Sequence, residues 1–245
     1  MQDFSKAYWD FAREKLKVEF SNIDILITAF THRSYLNEHR RTTPEHNERL
    51  EFLGDAVLEL VVTDYLYANF SEPEGILTNW RSSLVRTESI SAAANRYGFE
   101  PLLRLSRGER RGAERARMQI LANSYEAVVG ALYLDQGYEV AKGFVYESLL
   151  VTFHEILASG TWLDPKSKLQ ELSQSLEGQM PSYRVISEEG PDHDKVFTIG
   201  VFINGELCGK GTGPSKQAGQ QQAAEIALSH YKSGKRLIDN RGTSL

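Results

Sequence analysis

Residues 46–58 read HNERLEFLGDAVL and carry the strongest pattern in the first part of the chain. At 100° per residue, a helix would place Glu48, Glu51 and Asp55 within one narrow arc. The opposite side of the same helix is apolar and is predicted to face the core, through Leu50, Leu53, Val57, Leu60 and Val61. The stretch therefore predicts an amphipathic helix whose acidic arc lies opposite its core face.

The acidic arc has two interpretations. Clustered carboxylates repel one another unless cations neutralise them, and hard divalent cations prefer carboxylate oxygens. A solvated acidic face is the alternative, and Glu59, which falls in the same arc, fits it. Two neighbours favour a functional role. Phe52 is a large apolar residue away from the core stripe, and Gly54 inside a helix costs about 1 kcal/mol relative to alanine, which predicts close packing there.

The pattern of residues 1–158 is helical throughout, without strand-like alternation. The predicted helices cover approximately 45–68, 78–97, 117–134 and 139–157. Thr43 and Pro44 are start signals for the first helix, and Gly98 ends the second. Residues 104–117 form an Arg-rich stretch that is either a solvated loop or a contact for phosphates beside the acidic arc, and we favour the phosphate contact.

A different pattern follows the linker-like sequence ASGTW at 158–162. Period-2 alternation and a strong Asn204-Gly205 turn signal predict a strand hairpin. The whole order is α-β-β-β-α, with helices at 165–177 and about 215–232 around strands at 183–187, 197–203 and 206–210. The first helix has a leucine stripe, predicted as core, at Leu169, Leu172 and Leu176.

These patterns predict a two-domain α+β chain. Its parts are an all-α domain at 1–158, a linker at 159–163, an α-β-β-β-α domain at 164–236 and a tail at 237–245.

Composition limits the class of protein. No apolar run is long enough to span a bilayer, and the charged N-terminus lacks the apolar segment of a secretory signal. The only cysteine, Cys208, excludes an internal disulfide and a Cys-rich zinc site, so we expect a cytoplasmic protein. The net charge of −5 lies in residues 1–163, which carry 18 basic and 23 acidic residues. An acidic domain that acts on a polyanion needs divalent cations as mediators.

NERLEFLGDAVL at 47–58 resembles the signature helix of the ribonuclease III family. Further motifs of this family follow in the expected order along the chain: THRS at 31–34, EG at 74–75, LT at 77–78, ILANSYEA at 120–127 and GALYLD at 130–135. The resemblance implies an all-α endonuclease domain, and the α-β-β-β-α segment is similar to a double-stranded RNA-binding domain. It implies a homodimer that hydrolyses double-stranded RNA with Mg²⁺, for which Mn²⁺ could substitute.

The resemblance also assigns residues. Glu51, Asp55 and Glu126 match catalytic, metal-ligating carboxylates, while Glu48 and Glu74 match acidic residues of the site or of the RNA contact. Phe52 matches an aromatic residue of the dimer interface. The implied products have 5′-phosphate and 3′-hydroxyl ends with short 3′ overhangs, from processing of ribosomal precursors and messenger RNA.

One position departs from the family pattern. Many members have Asp where this chain has Asn123, whose neutral carbonyl oxygen can still bind a cation. Asn123 is therefore expected as a fourth metal ligand with weakened affinity. The alternative is that Asn123 only hydrogen-bonds a ligand or water.

The RNA-binding module is matched in three regions. The polar side of its first helix is expected to contact a minor groove through Ser167, Gln170, Glu171 and Gln174. His193 in the loop at 190–193 would reach a 2′-hydroxyl, and Lys216 at the start of the last helix would bind phosphates. Gln217 and Gln220 stand where basic residues are usual, and Gly219 where Ala is usual, so binding is expected to be weak and less salt-dependent.

Two rival hypotheses remain. One is a catalytically silent or weakened RNA-binding protein of the same fold, with Asn123 as the lesion. The other is a structural dimer with an accidental acidic patch, which leaves the paired domains unexplained.

Overall fold

The computed structural model describes residues 5–39, 45–159, 165–191 and 195–232. The chain divides into two compact units, Met1–Trp162 and Leu163–Leu245, and each has its own apolar core. The first is helical and the second combines helices with a sheet, which confirms the predicted two-domain α+β class. The predicted linker and tail boundaries fall largely outside the described residues and stay predictions.

Nine helices occupy the described part of the first unit. They are α1 (Lys6–Phe11), α2 (Ile23–Ala29), α3 (Arg33–His39), α4 (Glu48–Asn69), α5 (Glu74–Leu84), α6 (Thr87–Arg96), α7 (Glu114–Gln136), α8 (Tyr138–Ser148) and α9 (Phe153–Ser159). A single isolated bridge, between Thr31 and Arg104, is the only β-type pairing among these described residues. The predicted helix over 139–157 is thus divided into α8 and α9.

Two predicted helix boundaries are wrong. Helix α4 begins at Glu48, because the preceding Asn47 is buried and its side-chain amide donates to the carbonyl of Ala29. Thr43 and Pro44, the expected start signals, lie outside the described residues. The single helix predicted over 78–97 is two helices, since the backbone of Arg86 is extended between α5 and α6. Gly98 does end α6, with a positive φ of 78°.

Helices α4 and α7 cross at two glycines. A Cβ on Gly54 would lie 1.7 Å from the carbonyl oxygen of Glu126, and one on Gly130 would lie 2.4 Å from that of Leu50. No side chain fits into either position, so the two backbones are in direct contact. The close packing predicted for Gly54 is confirmed, and it brings the acidic arc of α4 beside α7.

This crossing also turns the buried face of α4. Leu50, Val57 and Val61 are buried as predicted, but Leu60 is 56% exposed, so that prediction is wrong. Burial extends instead to the other side of the helix, through Leu58, Val62 and Leu66. The physical reason is that α7 packs at Gly54, close to the acidic arc, and the core follows it.

The second unit has the predicted order: α10 (Pro165–Glu177), β1 (Ser182–Glu189), β2 (Val196–Ile203), β3 (Glu206–Gly213) and α11 (Lys216–Lys232). Its strands form one antiparallel sheet in the order β1-β2-β3. Asn204 and Gly205 both have positive φ, at 53° and 83°, as a tight hairpin turn requires, which confirms the predicted turn.

The core of this unit lies between the sheet and the two helices. Gly209 and Gly211 of β3 allow α11 to approach, because a Cβ on either would lie 2.3 Å from backbone atoms of Ala223. Leu169 is buried and Leu172 is partly buried, whereas Leu176 is 64% exposed. The predicted leucine stripe is therefore wrong at its last member, since α10 extends beyond the part that α11 and the sheet cover.

Candidate metal centre and nucleic-acid surfaces

Three carboxylates interact where α4 crosses α7. Burial, followed by the charges of Asp55 and Glu51, raises the pKa of Glu126 to about 8. Burial and then the charge of Glu48 raise the pKa of Glu51, while a hydrogen bond from Asn123 lowers it. The structure thus brings Glu51 and Asp55 of α4 into one electrostatic cluster with Glu126 of α7.

Countercharges separate the inner carboxylates from the flanking ones. Glu48 is paired with Arg33 at 3.3 Å, and Glu59 with Arg81 at 3.1 Å. Within the described part of the chain, no ion pair involves the inner three, Glu51, Asp55 and Glu126. The chain neutralises the rim of the acidic arc and leaves its centre without a basic partner. The solvated-face interpretation of Glu59 is replaced by an ion pair to α5.

The inner cluster has the chemistry of a site for a hard divalent cation. Its donors are all oxygens, as Mg²⁺ prefers, and a bound cation would relieve the repulsion that raises the pKa of Glu126. Across the described ranges, no three His, Cys, Asp or Glu side chains are already drawn into a metal-binding arrangement. The residues fit a cation in charge and donor type, and their side chains would have to converge around it.

Asn123 lies on α7, one turn before Glu126, and contacts the cluster through hydrogen bonds. Its carbonyl oxygen accepts a hydrogen bond of 2.7 Å from Nε2 of Gln119, and its side chain is hydrogen-bonded to Glu51. Gln119 has no place in the sequence-based prediction. Its spacing of four residues from Asn123, which puts both side chains on one helix face, was the signal that could have identified it.

The remaining predicted acidic residues lie at helix starts. Glu48, the first residue of α4, is close to His46 as well as Arg33, with 3.9 Å to Nδ1 of His46. Glu74 is exposed at the first position of α5, and no described ion pair or hydrogen bond joins it to the cluster. Glu48 thus borders the site, whereas the isolated chain does not bring Glu74 to it.

The Arg-rich stretch divides into two groups. Arg104 contacts α3 and its start, with a hydrogen bond to Thr31 and its guanidinium 4.3 Å from the centre of the Tyr35 ring. Arg117 is paired with Glu100 at 3.1 Å. The other arginines are exposed, and no described residue pairs with their side chains: Arg107, Arg110, Arg111 and Arg115. Only this second group is available to a ligand.

Phe52 lies on the open side of α4. Its side chain is 82% exposed, and Tyr67 on the same side is 80% exposed. With Leu60 they form an apolar stripe along the helix, which we call the α4 stripe. The sequence prediction had assigned Leu60 to the core and had not included Tyr67.

The second unit shows most of its predicted RNA contacts at the surface. Gln170, Glu171 and Gln174 are exposed along α10, and Ser167 is partly exposed. His193 lies outside the described residues, so its predicted contact stays a prediction.

At the start of α11, Lys216 is already engaged within the unit. Its Nζ lies 3.2 Å from Glu188 and 5.5 Å from the centre of the Phe197 ring. Gln220 accepts a hydrogen bond from Lys166 at 2.8 Å, a contact that the sequence did not indicate. Gly219 is explained by packing, because a Cβ there would lie 2.6 Å from the side chain of Ile199.

None of the helices in the described ranges is long and apolar enough to cross a membrane.

Comparisons with known proteins agree with both units. A Ribonuclease-III-like family model matches residues 22–153, and a double-stranded RNA binding motif matches residues 165–231. A ribonuclease 3 of Enterococcus faecalis is 44% identical over 217 residues, which is 88% of this chain and 94% of that protein. A ribonuclease 3 of Carboxydothermus hydrogenoformans is 44% identical over 227 residues, 91% of this chain and 95% of that one.

Solved structures give the same result for the helical unit. Two structures of the nuclease domain of ribonuclease III from Campylobacter jejuni are similar to it. The first is 34% identical, with a TM-score of 0.53 over 59% of this chain and 98% of the other, and its description names a region involved in dimer formation. The second is 32% identical, with a TM-score of 0.50 over 63% of this chain and 96% of the other.

Proposed function

The chain belongs to the ribonuclease III family and is a double-strand-specific endoribonuclease, and we propose that Glu51, Asp55 and Glu126 hold its catalytic Mg²⁺. The observation that supports this proposal is the cluster of inner carboxylates without a basic partner. Enzymes of this family depend on divalent metal ions. Mn²⁺, with similar oxygen preference, is expected to substitute.

The chemistry that bound Mg²⁺ supplies is activation of a water molecule and neutralisation of the scissile phosphate. The residues of this chain prepare the site for it. With a pKa of about 8, Glu126 carries a proton through much of the neutral range in the metal-free chain, and it must release that proton to act as a ligand. Hydrolysis would leave 5′-phosphate and 3′-hydroxyl ends with short 3′ overhangs.

Double-stranded RNA would contact both units. The four exposed arginines of the 104–117 stretch supply positive charge in a unit that is acidic overall, and phosphate contacts of this kind carry much of the binding free energy. In the second unit, the exposed polar side of α10 fits a minor groove. Lys216 would have to exchange its ion pair with Glu188 for a phosphate. This exchange supports weak, modestly salt-dependent binding by the second unit.

A homodimer would place two such sites on one duplex. The α4 stripe supports it, because a monomer gains nothing from exposing Phe52 and Tyr67 on one helix face. Phe52 would be buried against the partner subunit. Glu74, which is remote from the cluster by described contacts, would then have a role only in RNA contact or in the assembled dimer.

Cleavage of an end-labelled RNA duplex, with Mg²⁺ and with EDTA, tests the function. We expect cuts only with Mg²⁺, and products whose 5′ ends accept a label from a kinase only after phosphatase treatment. Glu126→Gln should still bind the duplex in a gel-shift assay and should not cut it. Binding without cutting by the unmodified protein in Mg²⁺ and in Mn²⁺ would establish the rival hypothesis, a silent RNA-binding protein.

Natural substrates are proposed from the same chemistry. Processing of ribosomal precursors and messenger RNA in the cytoplasm fits an enzyme that recognises duplex shape. Accumulation of unprocessed ribosomal precursors in cells that carry only the Glu126→Gln variant would support this assignment.

A further inference from the structure

The side chain of Asn123 lies between two hydrogen-bond partners at the edge of the acidic cluster. Nε2 of Gln119 donates to its carbonyl oxygen at 2.7 Å, and its other partner is the carboxylate of Glu51. Gln119 and Asn123 are one turn apart on α7, while Glu51 belongs to α4. The three side chains therefore link the two helices that carry the cluster.

The chemistry of these groups determines which way each amide points. An ionised carboxylate only accepts hydrogen bonds, so Asn123 must turn its NH₂ group toward Glu51. Its carbonyl oxygen then faces Gln119, and Gln119 must present its own NH₂ group. Reversing either amide would set two acceptors or two donors against each other. The carbonyl oxygen of Asn123, the only atom that could bind a cation, is already occupied by a 2.7 Å hydrogen bond.

We propose that Gln119 and Asn123 form a hydrogen-bond relay that positions the Glu51 carboxylate for the cation, and that Asn123 is a positioning residue and not a ligand. The proposal rests on the metal site proposed above. It departs from the sequence-based expectation of direct ligation and adds Gln119, which no motif includes. Glu51 needs such a donor because it is partly buried and has no basic partner among the described residues.

Replacement of Gln119 distinguishes a relay from direct ligation, because the two predict opposite signs. Gln119→Met keeps the length of the side chain and removes its NH₂ donor. If Asn123 were a ligand, losing the competing hydrogen bond would free its oxygen and tighten Mg²⁺ binding. In a relay, the loss lets the Asn123 amide rotate and weakens Mg²⁺ binding.

The experiment is a calorimetric titration of the full-length, RNA-free protein with Mg²⁺. Asn123→Ala should weaken binding about tenfold, at the lower end of the effect of residues that orient ligands. Gln119→Met should weaken it several-fold, and should have no further effect in the Asn123→Ala background. Gln221→Met, the same change at an exposed position of α11, is the matched control and should match the wild type. Equal or tighter binding by Gln119→Met, or additive effects in the double variant, would overturn the relay.

A second measurement does not depend on metal binding. In protein labelled with ¹⁵N-asparagine, the resonance of the Asn123 side-chain amide is identified by its loss in Asn123→Ala. It should shift in metal-free Gln119→Met and keep its position in Gln221→Met. An unchanged resonance in Gln119→Met would refute the relay. If the wild-type protein bound no Mg²⁺, the proposed metal site would fail, while this resonance would still decide whether the relay exists.

Discussion

Replacing Gly54 with alanine would add one methyl group at the point where α4 and α7 cross. The new Cβ would lie 1.7 Å from the carbonyl oxygen of Glu126 and 2.8 Å from the backbone nitrogen of Gly130. Both neighbours are backbone atoms of a helix, so neither can move alone. To bring the first distance to 3.0 Å, the two helices must separate locally by about 1.3 Å.

Two opposing contributions determine the expected loss of stability. Overpacking of a filled core costs about 1–3 kcal/mol, and a contact between two rigid backbones belongs at the upper end of that range. Alanine is a better helix former than glycine by about 1 kcal/mol, which offsets part of the cost. We therefore expect the free energy of unfolding to fall by about 2 kcal/mol.

Catalysis should suffer more than stability. The separation moves Asp55, the residue after Gly54, away from Glu126, the residue whose carbonyl the methyl group strikes. A misplacement of about 1 Å in a catalytic site can cost about 10²-fold in rate. We expect a loss of that order in cleavage by Gly54→Ala at temperatures where the variant is folded.

Denaturant unfolding and single-turnover cleavage of a duplex measure the two effects. Gly143→Ala is the matched control, because Gly143 lies inside helix α8 with no atom within 4 Å of the position of a new Cβ. That control should be slightly stabilised and fully active. If Gly54→Ala were as stable and as active as Gly143→Ala, the close crossing would not hold the carboxylates together.

Four further changes test other parts of the molecule. In metal-free protein, the raised pKa of Glu126 means that stability falls as pH rises from about 4.5 to about 8; Glu126→Gln should remove that slope in denaturant unfolding, and an unchanged slope would assign the burial cost elsewhere. Phe52→Ala should loosen the proposed dimer, by several kcal/mol for a buried aromatic, in analytical ultracentrifugation; a monomeric wild-type protein would contradict this. Deleting residues 160–245 should weaken RNA binding but leave slow cleavage at low salt, since the carboxylates all precede residue 130; complete inactivity would give the second unit a catalytic role. Asn123→Asp replaces a hydrogen bond to Glu51 by a repulsion that Mg²⁺ relieves, so half-maximal cleavage should need less Mg²⁺, by an amount on the order of 1 kcal/mol; superimposable titrations of the two proteins would argue against it.

Local patterns in the sequence determined the element types. The periods of helix and strand are properties of consecutive residues, and they predicted helix α4, the alternating strand β2 and the Asn204-Gly205 hairpin turn. The cost of glycine in a helix is also local, and it led to the close contact at Gly54. The three inner carboxylates were identified in the same way, from their spacing and from the family resemblance.

Only the tertiary structure decided how these elements meet. A helical wheel gives the arc on which a residue lies but not the side from which a neighbouring helix approaches, so Leu60 was assigned to the core while α7 packed elsewhere. The ion pairs of Glu48 and Lys216, the link from Gln119 through Asn123 to Glu51, and the exposure of Leu176 follow from contacts between distant segments. Their physical reason is that burial and countercharge depend on which surfaces come together in space, and no local period encodes that choice.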